Sequence, residues 1–143
     1  MKISPEGLEF IKQAEGCRLV SYRDSVGVLT IGYGHTQDVH GGMAISEAQA
    51  EAYLRSDLED VYRCIKSLVT VPLNQGQFDA LCSWIFNLGC GNFKSSTLLK
   101  VLNRGDYTAV GEQIVRWDKA GGQVLAGLTR RRKGEAEMFS EVA

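Results

Sequence analysis

The sequence predicts an α+β fold, mostly helical, with a small N-terminal β-hairpin lobe and a larger helical lobe. Three observations carry this. Apolar residues recur at helical spacing in several separate stretches, most fully in FDALCSWIFNLG, which is apolar nearly all round. The β-prone, glycine-punctuated runs LVSYRD and GVLTIGYGH fall together near the N-terminus. The chain of 143 residues, 44% hydrophobic and 23% charged, suits one compact domain without repeats, low-complexity tracts or a linker. One domain over residues 1–143 is therefore expected. Its small lobe covers about 15–60, and its helical lobe about 61–143 plus the N-terminal helix.

Ser4-Pro5-Glu6 is a helix start: a serine cap, proline at the first helical position, an acid in the first turn. Leu8, Phe10 and Ile11 give that helix its buried side. Residues 17–38 form the hairpin region, with Gly27, Gly32 and Gly34 in its turns and close approaches; Gly41-Gly42 is a joint. Ser46 opens a second helix and Gln49 completes a capping-box pattern, followed by Ala48, Ala52, Tyr53, Leu54, Leu58 and Val61 at helical spacing. Asn74 with Gln77 repeats the pattern and opens the central helix, which Gly89 and Gly91 end. Shorter helices are expected over Ser96–Asn103, Tyr107–Trp117 and Arg130–Phe139, with Gly105 and Gly121-Gly122 in the breaks.

The net charge of −1 hides an asymmetry. Residues 1–60 hold ten acids and five bases; residues 61–143 hold seven and eleven. The bases gather at Arg116, Lys119 and the run Arg130-Arg131-Arg132-Lys133, read either as a face for an anionic polymer or as a solvated helix face paired with Glu135 and Glu137. Cys17, Cys64, Cys82 and Cys90 show no CxxC spacing and read as reduced, semi-buried thiols. The N-terminus has charges throughout and no apolar core of signal-peptide length, so synthesis and folding in the cytoplasm without a signal peptide are expected. No apolar run is long enough to span a bilayer.

The stretch Ala14–Thr36 concentrates the chemistry. Glu15 and Asp24 have eight residues between them, and Asp24 and Thr30 have five. Cleaving a glycosidic bond needs one carboxylic acid to protonate the leaving oxygen and a second carboxylate to manage water or the developing positive charge. Taken alone, both acids are as easily solvated helix-end and turn residues. Their surroundings decide between the two readings.

EG-x2-L-x2-Y-x-D-x2-G-x2-TIGYGHT, from Glu15 to Thr36, resembles the active-site stretch of phage-type lysozymes, the endolysins of glycoside hydrolase family 24. The resemblance continues in VPLNQ-x-QFDAL-x-S-x-IFNLG (Val71–Gly89) and GLTRRR-x-x-E-x-x-x-F (Gly127–Phe139), so it spans nearly the whole chain. It implies a lysozyme-like fold with a cleft between its lobes and a muramidase that cuts peptidoglycan between N-acetylmuramic acid and N-acetylglucosamine. Glu15 then matches the general acid, Asp24 the second carboxylate, and Thr30 the hydroxyl that places water in an inverting reaction. Retention of both Asp24 and Thr30 argues against a lytic transglycosylase, and the intact set argues against a non-catalytic wall-binding relic.

Further roles follow from the same resemblance. Phe86 and Asn87 match a substrate-contacting part of the cleft, although Phe86 is equally a candidate for the core; Thr97 and Trp117 are rim candidates. Arg130 resembles an arginine that pairs near the catalytic glutamate, the rest of its run being surface charge that assists adsorption to the wall. His35 and Asp57 match a structural ion pair. Two histidines without HExxH spacing make a zinc site improbable, and no cofactor is called for. Cys17 lacks a histidine and an orienting partner, so it reads as a buried small thiol and not a nucleophile. The implied partner is the glycan strand of peptidoglycan, reached from the host cytoplasm through a holin-made lesion. Neither nucleic acid nor stable membrane association is expected, and a monomer is.

Overall fold

The structure, a computed structural model, describes residues 1–140. Its elements in order are α1 (Pro5–Glu15), β1 (Arg18–Arg23), β2 (Leu29–Gly32), α2 (Glu47–Leu68), α3 (Gln75–Leu88), α4 (Cys90–Ser95), α5 (Thr97–Asn103), α6 (Tyr107–Val115), β3 (Lys119–Ala120), β4 (Gln123–Val124) and α7 (Ala126–Ser140). The chain divides into two compact units, residues 9–60 and residues 1–8 with 61–143. The described part of each is taken in turn. No helix among the described residues is long and apolar enough to cross a membrane.

In the unit of residues 9–60, β1 and β2 pair antiparallel, Tyr22 opposite Thr30 and Arg23 opposite Leu29, with an irregularity between Arg18 and Tyr22. The chain then returns along the far edge of β1, where Ser21 N–H donates to Met43 O and Ile45 N–H to Leu19 O, both at 2.9 Å. Ile11, Ile31, Ala50, Leu54 and Leu58 close the core of this unit. The buried His35 ring stacks on Tyr53 at 4.2 Å between centroids, and its Nδ1 lies 2.9 Å from Asp57 Oδ2. Ser46 caps α2 by accepting from Gln49 N–H at 3.1 Å. Lys12 on α1 pairs with Glu51 on α2.

In the other unit, α3 is the central element, as its all-round apolar character predicts. Its residues Phe78 to Ile85 are buried without interruption. The Asn74–Gln77 capping box forms in both directions, at 2.8 and 2.9 Å, and satisfies donors at the start of this buried helix. Ser4 caps α1 by accepting from Gly7 N–H at 3.0 Å, and Ser4 N–H donates to Asp79 on α3 at 3.0 Å. Trp84 meets Phe93 and Trp117 edge-on at centroid distances of 5.9 and 5.2 Å. α7 packs on both α3 and α6.

Three expectations need correction. First, the four cysteines are not all thiols. Cys64 on α2 and Cys90 at the start of α4 form a disulfide, with Cα atoms 6.0 Å apart; Cys17 is exposed, and only Cys82 is a buried thiol. Residues 26 apart in sequence meet here because α3 folds back between them, which spacing alone does not reveal. Second, Arg131 and Arg132 are not surface charge. They lie buried around the buried Glu135: Arg132 Nε is 2.7 Å from Glu135 Oε1, and Arg131 Nε 3.4 Å from Oε2. Ser83 Oγ on α3 donates to Glu135 Oε2 at 2.5 Å. Burial pushes the Glu135 carboxyl up and the two arginines oppose this. Third, Gly91 lies inside α4, an element not foreseen, and α7 begins at Ala126. Gly121-Gly122 lies in a break between helices as expected, and there forms the turn of a second hairpin that was not foreseen, both residues having positive φ, as a tight two-residue hairpin turn requires.

Two measurements follow. Reduction of the disulfide, or Cys64→Ser with Cys90→Ser, is expected to lower stability by about 3.5 kcal/mol on loop-entropy grounds, roughly 10 °C in Tm. Calorimetry with and without dithiothreitol checks this; identical melting would remove the disulfide as a stabilising element. In the Lys12–Glu51 pair, the hydrogen bond from Lys12 holds the Glu51 carboxyl below its ordinary 4.5, and the same bond raises Lys12. A depressed carboxyl contributes stability above its unfolded value and loses it as pH falls through the folded one. The Tm deficit of Glu51→Gln should therefore be constant near neutrality and shrink in acid. The deficit stays small because the pair is only partly buried and solvent screens it.

Candidate active site

Glu15 is the last residue of α1, where the helix gives way to Gly16 and β1. It is half-buried. The turn that follows β2 comes against it. Ile31 and His35 exchange two backbone hydrogen bonds of 2.9 Å, folding residues 32–34 into a tight loop. Gly34, with φ of 82°, presents bare backbone to the acid, and a Cβ there would sit 3.0 Å from Glu15 Oε1. This close approach is the use of glycine that the sequence suggested, now tied to one carboxylate.

Asp24 lies one residue past the end of β1, in the loop and not on the strand. Among the described residues its carboxylate is held by main chain: Oδ1 accepts from Val26 N–H at 3.0 Å and Val28 N–H at 2.8 Å. Asp24 N–H in turn donates to Val28 O at 2.9 Å. Thr30, on β2 and 4% exposed, donates its hydroxyl hydrogen to the same Val28 O at 2.9 Å. The two peptide groups flanking Val28 Cα therefore anchor both the second carboxylate and the hydroxyl. Thr30 keeps its lone pairs, since its one proton is committed.

All three predicted reaction residues thus belong to the unit of residues 9–60, on one hairpin and the helix end that precedes it. The five predicted substrate-side residues all fall in the other unit. There Phe86, Asn87 and Trp117 are half-buried, and Thr97 and Arg130 are exposed. Asn87 Oδ1 is buried without a hydrogen-bond partner among the described residues. Cys17, two residues past the acid, lies beside the Tyr33 hydroxyl; burial, then Cys17, pushes Tyr33 upward. Burial likewise pushes the Cys82 thiol far above its ordinary range, which leaves it unreactive. Among the described residues no cluster of three His, Cys, Asp or Glu is placed to hold a metal ion.

Comparison with known proteins decides the family. The phage lysozyme profile matches residues 12–135, which include Glu15, Asp24 and Thr30. The chain belongs to the phage lysozyme family. The enzyme is 45% identical to the endolysin of Salmonella phage P22 over 145 residues, covering 98% of this chain and 99% of that one. It superposes on a crystal structure of a P22 lysozyme mutant with a TM-score of 0.91, at 42% identity and 99% coverage of both chains. The muramidase domain of SpmX from Asticcacaulis excentricus gives 0.93, at 39% identity and 99% coverage of both. A SAR-endolysin of Enterobacteria phage P21 is 39% identical over 125 residues, 87% of this chain and 76% of that one. The protein is thus a lysozyme, a glycosidase of the muramidase type that cleaves peptidoglycan in host-cell lysis.

Sequence reasoning missed Arg23, whose guanidinium Nη1 donates to Gly27 O at 2.9 Å across the Asp24 loop. Its only signal was a long donor next to a motif aspartate. The Gly34 approach can be tested directly. Gly34→Ala forces a left-handed φ on a residue with a side chain, roughly 1–2 kcal/mol, and presses on Glu15. Turnover should fall at least tenfold, on the scale expected for a displaced reacting group. Wild-type turnover in a folded Gly34→Ala protein would show that the approach does not constrain the acid.

Proposed function

We propose that the enzyme hydrolyses the β-1,4 bond between N-acetylmuramic acid and N-acetylglucosamine with inversion. Glu15 donates its proton to the leaving glycosidic oxygen. A water attacks the sugar carbon from the opposite face as the bond to the leaving oxygen breaks; Thr30 Oγ1 orients it as acceptor, and the Asp24 carboxylate takes its proton as general base and stabilises the growing positive charge on the ring. The observation that carries this reading is the shared anchorage at Val28. With the Thr30 proton committed to Val28 O, its oxygen can only accept from the water. An inverting pair leaves room for that water, so the Glu15 and Asp24 carboxyl groups are expected roughly 6.5–9.5 Å apart in the working enzyme.

Phe86, Asn87, Thr97, Trp117 and Arg130 are proposed to meet the sugar and its peptide. The His35–Asp57 contact is proposed to steady the turn that approaches Glu15. The enzyme works as a monomer on glycan strands, with no nucleic-acid partner. It accumulates in the host cytoplasm and reaches the wall through a holin-made lesion.

Glu15→Gln tests the assignment. It is expected to abolish lysis of a chloroform-permeabilised Gram-negative suspension while far-UV circular dichroism and Tm stay near wild type; full residual lysis would refute the acid. Mass spectrometry of the products tests the water. Reducing muramic ends are expected, whereas anhydromuramic ends would make the enzyme a lytic transglycosylase.

A further inference from the structure

We infer that Arg23 is a positioning residue for Asp24, a step that rests on reading Asp24 as a reacting carboxylate. Asp24 opens a five-residue hairpin loop, Asp24–Val28, between the ends of β1 and β2. One carboxylate oxygen, Oδ1, takes both loop amides, Val26 and Val28. Among the described residues the other, Oδ2, receives no hydrogen bond and is the oxygen left to face the reaction. Its direction is therefore set by how the loop presents two N–H groups.

Little side-chain packing fixes that loop. Ser25, Val26, Gly27 and Val28 are all exposed, Val26 to 81%. Its shape rests on hydrogen bonds: Asp24 N–H to Val28 O at 2.9 Å and Gly27 N–H to Asp24 O at 3.0 Å. Two further bonds reach in from the flanking strands and take successive carbonyls. Thr30 on β2 donates to Val28 O, and Arg23 on β1 donates to Gly27 O, each at 2.9 Å. Arg23 is thus the counterpart of Thr30 on the opposite strand. Gly27, with φ of 87°, has no side chain of its own to lock the turn, so the strap from Arg23 fixes the Gly27–Val28 peptide, the same planar group whose N–H, that of Val28, holds Oδ1.

An exposed arginine near the site could instead draw in an anionic wall, and the two roles leave different traces. Attraction acts on substrate affinity and is screened by salt; a strap acts on turnover and is not. Arg23→Ala is therefore compared with wild type on a soluble glycan-strand oligomer at low and high salt, together with amide hydrogen exchange of the folded protein by NMR. The expected result has two parts. Val26 and Val28 amides exchange faster by about threefold or more relative to amides of α3, and kcat falls about three- to tenfold with KM unchanged at both salt concentrations, the scale of one lost exposed hydrogen bond. Unchanged exchange, unchanged kcat, or a loss confined to KM and removed by salt would each overturn the proposal. Asp24→Asn run alongside separates the two claims: if it keeps full turnover, the reading of Asp24 falls first, whereas an inactive Asp24→Asn beside a fully active Arg23→Ala overturns only the role of Arg23.

Discussion

The unit that carries α3 depends on one buried charge cluster. Glu135 is wholly buried on α7, with Arg131 and Arg132 of the same helix against it and Ser83 of α3 donating to it. Such a group is costly to desolvate, and each partner leaves the others uncompensated if removed, a loss of about 3–5 kcal/mol for a broken buried pair. The cluster therefore acts less as a source of net stability than as a constraint on register. Arg131 also reaches Ser83 O, and Arg132 reaches Trp117 O, at 3.3 and 3.5 Å. α7 can meet α3 in one rotation only, and that rotation leaves Arg130 and Lys133 exposed.

The same cluster shows where the sequence misleads. Three arginines and a lysine in a row look like a solvated face, and Glu135 and Glu137 look like its surface partners. What distinguishes the buried set is period, not composition. The half-buried Leu128 and the buried Arg132, Glu135 and Phe139 fall at intervals of four, three and four, the stripe of a packed helix, with a mutually neutral pair in its middle. Arg131 lies on the edge of that stripe. Reading charge as exposure hid it.

Elsewhere the sequence was legible in proportion to how locally each feature is determined. Caps at Ser4, Ser46 and Asn74 were readable because a cap involves residues three apart. The central helix was readable because burial on all sides demands apolar residues on all sides. The Cys64–Cys90 bond and the edge pairing of residues 43–45 on β1 depend on chain segments that meet only after folding. The β3–β4 hairpin contributes two residues per strand, too few for an alternation to register.

The candidate site itself was legible for a physical reason. Two of its candidate groups are held by main chain, two amides on Asp24 and one carbonyl on Thr30, and a bare glycine approaches the third, Glu15. Peptide groups are the same whatever side chain they carry, so Ser25, Val26 and Val28 can be anything that leaves an N–H in place, and Val26 and Val28 point largely into solvent. The constraint then falls on a few positions: the carboxylates, the hydroxyl, and the glycines whose φ the turns require. That sparse set at fixed intervals is what EG…D…G…T…G presents. Arg23 escaped because its contribution is a bond to a carbonyl, which leaves no partner side chain in the sequence to point back to it.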